Sequence, residues 1–149
     1  MITEIQLDQC LRYDRETKKI FIGVYARNEL PLKIKYPCCF ILNTHPRNKP
    51  GEHWLAFYFS KNKECYFFDS YGLSPKFYNL ENYIIFSSSS YTFNKKRIQG
   101  YSSYCGFYCL LFLLFKIRNR HKSFFNYFSN VYSNNDLKIQ NLIKKFLKK

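Results

Sequence analysis

Apolar positions recur along the chain at two spacings, and the spacing separates strands from helices. Tyr36–Asn43 (YPCCFILN) is a nearly unbroken apolar run, the pattern of a strand covered on both faces. His53–Ser60 (HWLAFYFS) and Cys65–Ser70 (CYFFDS) flank the polar stretch Lys61–Glu64, which predicts an antiparallel hairpin. HPRNKPGE, just before that hairpin, holds two Pro and a Gly and reads as a turn. Phe21–Tyr25 reads as a short extended piece. Helical spacing runs over Ile5–Tyr13, with Thr3 placed as its N-cap, and over Cys105–Ile117. It returns at Leu137, Leu142, Ile143, Phe146 and Leu147 within Asp136–Lys149. In YGLSPKF, Pro75 suits the first turn of a helix running toward Leu80 and Tyr83. Ile84–Phe86 reads as a further short strand, and SSSSYTFNKKR as a polar loop. No internal repeat or flexible linker interrupts this order, so the expectation is a single α+β domain over residues 1–149.

Composition sharpens the picture in three places. The 149 residues are 46% hydrophobic and 21% aromatic, which excludes a disordered chain and suffices for a real core. With 24 Lys and Arg against 10 Asp and Glu, the formal charge is +14. Such a field draws in polyanions and weakens as salt rises. No base-reading motif accompanies the basic residues, so nucleic-acid contact would be non-specific and through phosphates; solvated lysine-rich faces are the alternative. Six cysteines stand in a chain whose start, MITEIQLDQCLRYD, carries acidic residues and no apolar leader. That favours reduced thiols in an intracellular setting. Phe107–Phe115 is about half the length a bilayer demands and reads as part of a core helix, so no membrane partner is expected. Cys38, Cys39, His45 and Cys65 lack the knuckle spacing of structural zinc, and adjacent strand cysteines point to opposite faces, so no metal site is expected.

The chemistry concentrates in IQGYSSYCGFYCLLFLLF, residues 98 to 115. A cysteine nucleophile works as the thiolate, and the unpaired N–H groups and dipole of a helix start favour that form. Cys105 stands where such a helix begins, with Gly106 leaving room for a substrate carbonyl. The thiolate needs a histidine to pair with and to protonate the leaving amine. Of three histidines, His45 lies beside a proline in a turn and His121 in a basic stretch. His53 opens a strand, and Asp69 on the partner strand lies at about the same distance from the hairpin turn, where a carboxylate could orient the imidazole. Gln99, with the N–H of Cys105, can supply an oxyanion hole, in which one donor is worth about 3 kcal/mol. Cys109, one turn on, reads as a core thiol.

The order HW, FFDSYG, QGYSSYCG resembles the adenovirus-type cysteine endopeptidases, the adenain family, and more distantly the SUMO-specific proteases of the same clan. FIGVYARNELP and EHWLAFYFSKNKECYFFDSYGLSPK add to the likeness, which covers most of residues 4 to 117 and leaves the segment after Lys116 unmatched. The resemblance implies an adenain-like fold, a central mixed β-sheet packed by helices with the nucleophile at the N-terminus of a buried helix. It assigns His53 as general base and acid, Asp69 as its partner, Cys105 as nucleophile and Gln99 as oxyanion donor. It also implies a virion maturation protease of virion and infected cell, nucleus included, acting as a monomer on precursor structural proteins at small Gly-containing sites. Asp69 stands where adenovirus enzymes commonly carry Glu; either carboxylate serves. The family's activating peptide bonds to an enzyme cysteine shortly before the Gln, and no cysteine lies between Cys65 and Cys105. Any peptide activator here would be non-covalent, while double-stranded DNA, the family's other cofactor, suits the charge; the chemistry itself requires neither. A ubiquitin-like-modifier protease and a non-catalytic basic virion protein are the alternative functions.

Overall fold

The computed structural model describes residues 2–49 and 53–147. Five strands form one sheet in sequential order: β1 (Phe21–Tyr25), β2 (Cys38–Asn43), β3 (Trp54–Phe59), β4 (Glu64–Phe68) and β5 (Ser90–Phe93). The outer pairs β1–β2 and β4–β5 are parallel and the inner pairs β2–β3 and β3–β4 antiparallel, so the sheet is mixed as expected. Five helices accompany it among the described residues: α1 (Glu4–Tyr13), α2 (Glu81–Ser87), α3 (Cys105–Ile117), α4 (His121–Asn126) and α5 (Tyr132–Leu147).

Strand β2 is buried along its whole length because both sheet faces are covered. Its alternate side chains feed two cores. Cys39 and Ile41 join Ala56 and Phe68 against α1, α3, α4 and α5, which contribute Leu7 and Leu11, the apolar face of α3, Phe124 and Ile139. Cys38, Phe40 and Leu42 join Leu55, Phe57, Phe59 and Phe67 on the other face, where Leu80, just before α2, and Ile84 within it close the layer. The Phe40 and Phe57 rings stack there at 4.7 Å. Residues Cys105–Leu114 of α3 are all buried, so this helix is the spine of the first core and begins at the nucleophile candidate. Thr3 caps α1 in a reciprocal box with Gln6, an arrangement worth about 1 kcal/mol.

The structure departs from the pattern-based expectations in several places. Ile84–Phe86 is part of α2 rather than a strand: Ile84 is buried while Ile85 and Phe86 face solvent. The helix expected from Pro75 is a 3-10 turn, Pro75–Tyr78, which breaks at left-handed Asn79 before α2 starts. The polar SSSSYTFNKKR holds edge strand β5, joined to β4 through backbone pairing that side-chain polarity does not reveal. α4 was not expected, and α5 begins at Tyr132, ahead of Asp136. Residues 50–52 of the expected turn and residues 148–149 of the expected last helix lie outside the described residues. The hairpin is tighter than expected, closing through Ser60 N to Glu64 O at 2.8 Å with left-handed Lys63. Its register sets Ala56 opposite Phe68, so Asp69 continues the ladder opposite Leu55 and not opposite His53.

Candidate active site

The imidazole nevertheless finds the carboxylate. His53 stands just before β3 and Asp69 just after β4, and Nε2 of His53 lies 2.6 Å from Oδ1 of Asp69. A two-residue diagonal on one face is within reach of side chains this long. Asp69 is fully buried. A carboxylate there costs several kcal/mol unless its lone pairs are met. They are: Tyr71 N and Leu73 N donate at 3.1 and 3.2 Å, and Tyr78 Oη donates to Oδ2 at 2.7 Å. Asn94, one residue past β5, holds the Asp69 backbone from both sides, accepting from its N at 3.0 Å and donating to its O at 2.6 Å. The carboxylate is thus aimed before the imidazole arrives.

With Nε2 spent on Asp69, the other ring nitrogen of His53 is left for Cys105. Burial by itself pushes the imidazole toward the neutral form. Hydrogen bonds and charge from Asp69 and Cys105 outweigh it and push the pKa up to about 9. The Tyr71 ring stacks on the imidazole at 4.7 Å and 18°, fixing its plane. Cys105 is 5% exposed and His53 9%, so both side chains are largely withdrawn from solvent.

Cys105 is the first residue of α3, and no side chain caps that first turn. Its N–H groups therefore remain unpaired by the helix itself. One turn on, the Cys109 thiol donates to the Trp54 carbonyl at 3.3 Å. This bond ties α3, which starts at Cys105, to β3, which follows His53. Cys109 is fully buried, and burial pushes its thiol well up, as it does those of Cys39 and Cys65; these are core thiols. All six cysteines are free. Gly106 has a role other than the expected one: a Cβ there would meet Ile2 Cγ2 at 2.5 Å and Trp54 Cδ1 at 3.1 Å. Its smallness lets α3 pack against Trp54 rather than making room for a substrate.

Gln99 is fully buried. Its carbonyl oxygen accepts from Ser70 Oγ, and its amide donates to Ser102 O at 2.8 Å. The second amide proton has only a 3.4 Å contact with Ser102 Oγ. One donor is thus left weakly engaged on the loop that leads into Cys105. His121 packs edge-on to Tyr66 at 5.8 Å, near the Lys116 end of α3 and away from Cys105. His45 lines, with Tyr25, Asn43, Arg47 and Trp54, a cavity of about 140 Å³ that opens beyond Trp54.

Sequence reasoning missed Tyr71, Tyr78, Asn94 and Ser70. The one signal that pointed to them was Asp69 itself, a carboxylate in an apolar run that demands donors. No group of three or more His, Cys, Asp or Glu side chains among the described residues is placed to hold a metal ion.

A thiol at a helix start, an imidazole and a buried carboxylate, set on a mixed sheet, have the form of a cysteine-protease centre. The chain belongs to the adenovirus endoprotease family, whose pattern it matches over residues 21–144. That match runs through α4 and into α5, beyond the Lys116 limit drawn from the motifs. It is 32% identical over 111 residues to the protease of human adenovirus A serotype 12 and 34% identical over 111 residues to that of porcine adenovirus A serotype 3. These alignments cover 64% and 62% of this chain and 50% and 54% of the relatives, so the chain spans about half the length of the curated relatives it matches. The crystal structure of the ASFV pS273R protease has a similar fold, with a TM-score of 0.53 over 80% of this chain and 58% of that one at 18% identity.

Proposed function

We propose that this chain is a cysteine endopeptidase that matures virion precursor proteins, with Cys105, His53, Asp69 and Gln99 in the roles that the family order assigns. The observation that carries the reading is the line Asp69–His53–Cys105, with the carboxylate held by three further donors before it meets the ring. In the first step the Cys105 thiolate adds to the scissile carbonyl carbon, and the oxygen takes up the negative charge. The Cys105 N–H and the weakly engaged amide donor of Gln99 stabilise that oxyanion. The His53 imidazolium gives its proton to the leaving amine, the C–N bond breaks, and a thioester remains. His53, now neutral, takes a proton from water, whose oxygen attacks the thioester, releasing the acid and the thiol. Asp69 keeps the ring oriented and the imidazolium favoured throughout.

Substrates with small residues around the scissile bond suit a thiol only 5% exposed, which favours Gly-containing precursor sites. The net charge of +14 supports duplex DNA as a non-specific stimulating partner bound through phosphates.

The test is cleavage of Gly-containing peptides with and without duplex DNA at two salt concentrations. Wild type should cleave and be alkylated at Cys105, and Cys105→Ala should do neither. Stimulation by DNA should fade as salt rises. A chain that neither cleaves nor labels, with DNA present, would instead be a basic virion protein that keeps the fold; cleavage of a ubiquitin-like fusion alone would point to a modifier protease.

A further inference from the structure

The segment Ile98–Gly100 is held at every polar backbone atom the structure accounts for. Ile98 N and Gln99 N both donate to Ser70 O, at 2.9 and 3.1 Å. Gln99 O accepts from Arg97 Nε at 2.7 Å. The remaining restraints come from α5, far along the chain. Asn135 Nδ2 donates to Ile98 O at 2.9 Å, and Gly100 N donates to the Asp136 carboxylate at 3.2 Å from each oxygen.

Neither side chain is there by accident of the surface. Asn135 is fully buried, and its amide also closes the turn before α5 by bonding Ser129 N at 2.9 Å and Ser129 O at 2.8 Å. Asp136 is 9% exposed, and its second partner is Tyr108 Oη at 2.7 Å. Tyr108 is fully buried in the first turns of α3, three residues after Cys105. One carboxylate therefore grips both the residue after Gln99 and the helix that starts at the nucleophile. Gly100 is the residue this contact requires, since a Cβ there would stand 2.7 Å from Asp136 Oδ2 and 3.2 Å from the Tyr132 backbone.

We infer that Asn135 and Asp136 are positioning residues for the oxyanion hole. They fix the Gln99 segment in register with the N-terminus of α3, so that the amide donor and the Cys105 N–H converge on one point. This rests on the protease reading above. It adds that the last helix, which touches neither His53 nor Asp69 in the bonds described, sets the geometry of oxyanion stabilisation. A misplacement of about 1 Å at such a point costs about a hundredfold in rate.

The experiment compares two probes of the same thiol. Iodoacetamide alkylates Cys105 by displacing iodide at carbon and uses no oxyanion hole, so it reports the Cys105–His53 pair alone. An N-acetyl peptide aldehyde ending in glycinal adds the sulfur to its carbonyl carbon, and the oxygen takes up the proton to give a hemithioacetal, so it reports the hole as well. In Asp136→Asn, alkylation should stay within about twofold of wild type while aldehyde affinity and kcat fall about a hundredfold, with KM little changed. Gly100→Ala, whose Cβ would press on Asp136 and the Tyr132 backbone and push the loop off α5, should behave alike. Tyr108→Phe, which removes only a hydroxyl and spares the fold, should show a smaller loss of the same kind. Losses equal for both probes, or no loss in aldehyde affinity in any variant, would overturn the positioning role and leave the protease reading standing. A wild-type Cys105 that alkylates no faster than a free cysteine and binds no aldehyde would overturn both.

Discussion

The two halves of the proposed catalytic site, one for the base and one for the nucleophile, are held by different kinds of interaction. The base half is a strand hairpin, whose ladder brings His53 and Asp69 together across 16 residues of sequence, and its energetics are electrostatic. The nucleophile half joins a loop to a helix, and much of what holds the loop comes from residues 135 and 136, 36 or more positions after Gln99. In the proposed mechanism the first half tunes a proton, and the second fixes a point in space. A substitution in the first should move pH profiles, whereas one in the second should lower rates at every pH.

The largest expected effect tests this directly. Asp69→Asn removes the negative charge that helps raise the His53 pKa, and kcat/KM should fall by about 10² to 10⁴. The pH dependence should change as well. In wild type the pKa is raised to about 9, so the imidazolium persists and activity should decline only as pH rises through about 9. In the variant that decline should begin nearer the ordinary histidine range. Stability follows the same sign: the contribution of His53 is full below its unfolded pKa and is lost as pH rises through the folded one. Urea midpoints for wild type should therefore drop between neutral pH and about pH 9.5 more than those of Asp69→Asn. A pH limb unmoved by the substitution would break the contrast.

Gln99→Ala comes next. Removing one oxyanion donor should lower kcat by about 10² to 10³ with the pH limb in place. Stability should also fall, because Ser70 Oγ and Ser102 O lose their partner. The smallest effect is expected from Tyr78→Phe, which takes one hydrogen bond from Asp69 Oδ2 and leaves three donors. It should cost about 1.5 to 3 kcal/mol of stability, measured by denaturant titration, with the pH limb shifted slightly upward as the carboxylate turns more fully to His53.

The same contrast governs how far the site could be seen in the chain. Strand β2 announces itself because its apolar run is buried on both faces, β3 and β4 because theirs are mostly buried, and Cys105–Ile117 because ten consecutive residues of α3 are buried. His53, Asp69, Gln99 and Cys105 could be singled out as residue types in order. What holds them could not, since Tyr78, Asn94, Asn135 and Asp136 are polar residues in unremarkable stretches whose partners lie 9 to 37 positions away. The errors have the same origin. Exposed Ile85 and Phe86 gave a one-sided helix the look of a strand, and β5 hides its sheet membership in backbone bonds while its side chains alternate between exposed and half-buried. Gly106 was read for what it would admit, although the neighbours that forbid a Cβ, Ile2 and Trp54, meet it through the fold.

Trp54 is the sole tryptophan of the sequence, and it opens β3 facing α3, with its carbonyl on Cys109 and its ring against Gly106. The molecule consequently carries its own optical reporter at the place where events occur. Indole emission, excited apart from the 14 tyrosines, should register substrate binding beside Cys105 or a shift of α3 in real time, with no dye attached.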